Sequence, residues 1–107
     1  MTITPSCLIE TSAAPTAETT GYTATSKKTI IDKYSGYCAA GSGSLTLKLV
    51  PSGLSAGAAH ILAAKSFAAG ETYTFPEVVG HILNPGDFIS EIATGIVVRR
   101  ASGREVT

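Results

Sequence analysis

The sequence predicts an all-β domain, a small antiparallel β-sandwich or barrel with one short helix capping the core and an extended N-terminal arm. Three observations lead there. Strand-sized segments recur along 107 residues with short turn clusters between them. The clearest, Ser44 to Gly53, alternates Leu45, Leu47 and Leu49 with Thr46, Lys48 and Val50, the pattern of a half-buried strand. Only one stretch, around Phe75 to Leu83, carries a helical apolar period.

Residues 1–26 differ from the rest. Thr, Ser and Ala fill 15 of these 26 positions, and Lys and Arg are absent. Pro5 and Pro15 oppose helix. This composition suits an extended arm that orders on a neighbouring subunit. Residues 27–107 form the single β-sandwich domain. Lys27 to Ala40 reads as a strand bent or bulged at Ser35-Gly36-Tyr37. "GSGS" reads as a turn before the leucine strand, and Pro51-Ser52-Gly53 ends that strand. Alanines at 56–64 favour helix, but flanking strands and the turn "AAGET" favour a strand over Ala59 to Phe67.

In "ETYTFPEVVGHILNPGDFIS", Tyr73 and Phe75 alternate with Thr72 and Thr74. Thr74 and Glu77 have the spacing of a capping box. Phe75, Val78, Val79, Ile82 and Leu83 then make one apolar stripe, and Asn84-Pro85-Gly86 stops the run. The reading is a two-turn helix over one end of the core, with those five side chains buried. Beyond it, Phe88, Ser90 and Ile92 share one strand face, and Asp87, Ile89, Glu91 and Ala93 the other. Thr94-Gly95 reads as a turn, and the last strand is broken near Ser102-Gly103.

Lys plus Arg equal Asp plus Glu at 8 each, so there is no overall pull toward nucleic acid or an anionic membrane. Charged residues are only 15% of the chain, which suits either an uncharged β surface or one covered by partner chains. The start "MTITPSCLIE" lacks the basic and apolar segments of a secretory signal, and no stretch approaches a membrane span. Cys7 and Cys38 form neither a disulfide framework nor a zinc pattern, and are expected as thiols.

Chemistry-bearing motifs are sparse. His60 and His81 lack companions at metal-ligand spacing. Asp87 and Glu91 are read as solvated strand charges rather than a carboxylate pair. "GSGSLT" lacks the third glycine of a dinucleotide loop, and no serine sits in G-x-S-x-G. Arg99, Arg100 and Arg104 form a weak patch better suited to a subunit interface than to nucleic acid. The expectation is a non-enzyme with no catalytic residue, cofactor or metal.

"SLTLKLVPSG", "AAGETYTFPEVVGHILNPGDFIS" and "SGREVT", within residues 44–107, resemble a recurrent type of small tailed-bacteriophage protein, a virion component encoded among head and neck genes. The stretch "LSAGAAHILAAKSF" departs from the looser, polar sequence usual at that place. The resemblance implies a virion structural protein, assembled in the host cytoplasm. In first place it implies a head-decoration (cement, minor capsid) protein on the major capsid protein lattice. The alternative is a neck, collar or tail attachment module, either an adaptor or a receptor-binding piece, with neck proteins as partners. A homo-oligomer is expected, the trimer favoured, with neither nucleic acid nor membrane as partner.

Overall fold

The computed structural model describes residues 3–25 and 27–106. Seven strands account for nearly all of its regular structure: β1 (Ile3–Ala13), β2 (Thr19–Thr23), β3 (Lys28–Val50), β4 (Ile61–Phe67), β5 (Thr72–Thr74), β6 (Ile82–Leu83) and β7 (Phe88–Val106), with a single 3-10 turn at Ala58–His60.

Two long strands organise everything else. β3 and β7 pair antiparallel from Lys28↔Val106 to Val50↔Phe88. Residues 3–24 follow the free edge of β7. β1 pairs with 98–106 and β2 with 88–91. Between them the Ala14 amide donates to the Val97 carbonyl at 2.7 Å, and the Ala93 amide to the Pro15 carbonyl at 2.8 Å. Residues 61–83 follow the free edge of β3 in the same way through β4, β5 and β6. The chain is thus a ribbon four segments wide, antiparallel throughout.

The ribbon is folded double. Of the register shifts in the β3–β7 pairing, one lies between Ile31 and Lys33 and two cluster between Cys38 and Ser44, and the stretch of β7 facing the cluster holds Gly95 at φ +72°. The bend needs small residues because the backbones nearly touch. A Cβ on Gly43 would stand 2.6 Å from the Thr94 carbonyl oxygen, and one on Gly95 2.6 Å from that of Ser42. Folding there yields two facing sheets. One holds β1, the second half of β7, the first half of β3, and β5 with β6. The other holds β2, the first half of β7, the second half of β3, and β4. This arrangement of two four-stranded sheets is a jelly roll.

The core lies between the sheets. Leu45 and Leu47 are buried as their alternation predicts, with Ile31, Ile89 and Val97. Phe75 is the aromatic hub, edge-on to Tyr34 at 5.3 Å and to Tyr73 at 4.9 Å between ring centroids. Phe67 reaches it from the opposite sheet at 6.2 Å. Gly36 leaves the room for this meeting, since a Cβ there would press on both Phe67 and Phe75.

The all-β, antiparallel expectation holds, and the structure corrects three details. First, the segment expected as an arm is built into the chain's own sheets at residues 3–24 and buries Leu8, Ile9, Ala14 and Ala24; positions 1, 2 and 26 of that arm, and Thr107, lie outside the described residues. Second, the capping helix is absent from the described residues. Residues 75–81 form successive turns, with amide-to-carbonyl bonds from Val78 to Phe75 and from Val79 to Pro76. The reason is competition from β3: the Gly80 amide donates to the Ile31 carbonyl and the Ile31 amide to the His81 carbonyl. Phe75, Val78 and Leu83 are buried, but Val79 and Ile82 are 47% and 56% exposed. Thr74 closes β5, and the Glu77 carboxylate accepts from the Tyr73 hydroxyl at 2.9 Å rather than capping a helix. Third, "GSGS" and Thr94-Gly95 are bends inside single long strands, and β7 runs unbroken past Ser102-Gly103.

Gly41 and Gly95 both hold positive φ, at 65° and 72°, but only Gly95 is crowded. Gly41→Ala is expected to cost about 1–2 kcal/mol, the left-handed penalty alone. Gly95→Ala adds the clash with Ser42 and is expected to cost clearly more. Urea unfolding of the two variants checks the order; equal losses would deny that the bend is tightly packed.

Candidate functional site

Three side chains with acid–base character converge inside the core. Tyr34 and Glu91 are fully buried and Arg99 is 8% exposed. Arg99 Nη2 donates to Glu91 Oε1 at 2.8 Å and Nε to Oε2 at 3.0 Å, a bidentate pair. The Tyr34 hydroxyl donates to Glu91 Oε2. Arg99 Nη1 continues outward to the carbonyls of Ser12 and Ala13, each at 3.2 Å, and to the Ser12 hydroxyl.

The ribbon's fold creates this cluster. Glu91 and Arg99 lie on the same strand, and a straight strand would hold them roughly 26 Å apart. Doubling β7 at residues 94–96 brings them face to face. β2 closes the site, since any Cβ on Gly21 would collide with the Glu91 carboxylate. Burial, then the Glu91 charge, push the Tyr34 phenol far above its ordinary range. Hydrogen bonds donated to the Glu91 carboxylate hold the Arg99 guanidinium charged against its own burial.

The sequence reading is therefore corrected at two residues. Glu91 is not a solvated strand charge, and Arg99 is not part of a surface patch. Their positions in the alternation carried the signal. Glu91 shares an inward parity with Ile89 and Ala93, and Arg99 with Val97 and Ala101, all buried. Two opposite charges at apolar positions of one strand are the mark of a buried pair.

The other candidates are separate. Arg104 pairs with Asp32 through Nε at 3.0 Å on the outer face, and Arg100 donates to the Thr11 hydroxyl at 3.1 Å. Asp87 caps a turn, accepting from the amides of Ser52 at 2.9 Å and Asn84 at 3.0 Å. His60 Nδ1 accepts from the Gly57 amide at 3.2 Å, and His81 is exposed. Cys7 is exposed on β1 and Cys38 is buried. No group of three or more potential metal ligands occurs among the described residues.

Every oxygen of Glu91 is taken up by the fold, and the cluster is sealed from solvent. It orders the core and is not placed to meet a substrate. The surface offers shallow features instead. One is a depression of about 80 Å³ beside Pro51, Ile82 and Asp87, and another of about 380 Å³ lies beside Pro5, Cys7, Asp32 and Arg100. The outer edge of β4 is unpaired among the described residues, with Ile61 44% and Leu62 38% exposed.

No protein-family model and no curated protein sequence matches the chain. A solved structure from Bacillus endospore appendages, described as a novel family of disulfide-linked pili, has a similar fold. The TM-score is 0.56 and the identity 14%, over 99% of this chain and 88% of that one.

Arg99→Ala strands a buried carboxylate and is expected to cost about 3–5 kcal/mol. The double variant Glu91→Leu with Arg99→Met is expected to recover much of that loss, as measured by urea unfolding. A double variant as unstable as the single would mean that the charges matter for more than each other.

The raised phenol gives a second test. Below an unfolded tyrosine value near 10.0, the Tyr34 contribution is fully present. Above it the unfolded chain loses a proton that the folded chain keeps, so stability falls as pH rises, by up to about 1.4 kcal/mol per pH unit. Tyr34→Phe is expected to flatten this alkaline decline. An unchanged slope in the variant would remove Tyr34 as its source.

Proposed function

We propose that this chain is a virion structural protein of a tailed bacteriophage. It is read as a head-decoration protein that binds the major capsid protein lattice and stabilises the shell. The observation that carries the assembly reading is the contrast between interior and edge. The buried Tyr34, Glu91 and Arg99 are spent on one another, whereas the seven-residue β4 has an outer edge unpaired among the described residues and begins with exposed Ile61 and Leu62. Natural β proteins normally blunt such an edge, and one left open is a ready place for a further strand. Repeated over a shell, weak edge contacts add up to high occupancy. The phage assignment itself rests on the words "LVPSG", "AAGETYTFPEVVGHILNPGDFIS" and "SGREVT".

A second reading, a subunit of an extracellular fibre, is favoured by the likeness in fold to a subunit of endospore pili. The readings differ in what the protein does alone: the fibre subunit polymerises without a capsid, and the decoration protein needs the lattice.

Gold-labelled protein imaged on assembled particles is expected to number in the hundreds over the head. A dozen or fewer copies at one vertex would replace decoration with the neck role, and purified protein forming filaments unaided would favour the fibre. Leu62→Asp, at an exposed position, is expected to leave the unfolding midpoint nearly unchanged while weakening attachment about tenfold, or 1.4 kcal/mol. Full occupancy with that variant would take β4 out of the interface.

A further inference from the structure

We propose that β1 is an exchangeable strand. In the assembled state, residues 3–13 of one copy occupy the outer edge of β7, residues 98–106, in a second copy of the chain. This rests on the assembly reading above and names the contact within it.

Four features of the fold carry the argument. β1 is the last strand of its sheet, so its departure leaves β7 still paired along its other edge with β3. It contributes little to the core for its length, since only Leu8 and Ile9 of its eleven residues are buried. Its pairing is interrupted twice, between Cys7 and Ile9 and between Ile9 and Ser12, so its hold on β7 is broken into short runs. Its link to β2 crosses the fold line through Pro15 and the exposed Thr16, Ala17 and Glu18. A connection this short between two edge strands is the kind of joint at which exchange occurs.

The receiving edge, in contrast, is built without β1. Arg99 is aimed by Glu91 and Tyr34, all on β3 and β7, and presents Nη1 outward. That nitrogen donates to the Ser12 carbonyl, the Ser12 hydroxyl and the Ala13 carbonyl. The socket reads backbone and a hydroxyl at the strand's end, and any copy of the same strand satisfies it equally. Each contact broken within a chain is therefore remade between chains. The net cost is that of association, which high local concentration on a particle offsets.

Cys7 and Ser102 are cross-strand partners in β1 and β7 and line the same outer depression. Ser102→Cys therefore reports where β1 lies. Protein is attached to particles, oxidised, run on a non-reducing gel beside wild type, and the link between positions 7 and 102 is mapped by mass spectrometry. The expected result is that this link sits in dimers or longer ladders from particles. Dilute free protein, its strand folded back on its own sheet, gives the link in monomers. If the link from particles is found only in monomers, or does not form, the exchange is overturned. Retained occupancy in that case leaves the assembly reading standing, whereas loss of attachment by wild-type protein as well removes both.

Discussion

The bidentate bond between Glu91 and Arg99 is the constraint around which the structure closes. The two residues belong to one strand, and they meet only because that strand is folded back across itself. A charge buried without its partner costs several kcal/mol, so neither residue tolerates an alternative in which β7 runs straight. A buried ion pair is weak evidence for stability, since its desolvation cost rivals its attraction. Here it acts as a registration device. It fixes which point of one sheet faces which point of the other, and Tyr34 from β3 ties the second long strand to the same carboxylate.

The bend that this bond requires is permitted by residues with no side chain. Gly43 and Gly95 bring the two backbones within reach of each other at the fold line, and Gly36 opens space where Phe67 and Phe75 meet across the core. Gly21 lets β2 lie directly over the Glu91 carboxylate. Charge, glycine and aromatic packing thus describe a single event, the doubling of a flat ribbon. With 107 residues and a modest core, a fold of this size has little stability to spare. A substitution at any of these points therefore disturbs the meeting of the two sheets as a whole.

Much of this was legible in the sequence, and the remainder was lost for identifiable reasons. Leucine alternation at 45–49 was readable because period-2 burial leaves a local trace, whereas the strand expected over Ala59 to Phe67 was read from its flanking strands and turn and begins two residues later, at Ile61. The turn at 75–81 was misread as helix because its apolar spacing and its Thr74/Glu77 pair fit one. The competing demand came from the Ile31 backbone, more than forty residues away. "GSGS" and Thr94-Gly95 were misread as turns because a glycine that bends a strand and a glycine that ends one look alike locally. Glu91 and Arg99 were the most readable of the missed residues. Each sat at an inward position between apolar neighbours, and only the habit of assigning charge to solvent hid them.

The same division separates what the molecule uses to fold from what it offers to others. A jelly roll closes its two sheets at the fold line but not along their sides, so backbone remains open at β4, while the outer edge of β7 is covered by β1 and β2. With equal numbers of acidic and basic residues, no net repulsion keeps copies apart. A monomer with this charge and these edges would be poorly defended against its own kind. On the decoration reading proposed above, that exposure would be the means of attachment, and the Tyr34, Glu91 and Arg99 cluster would keep each edge in one geometry.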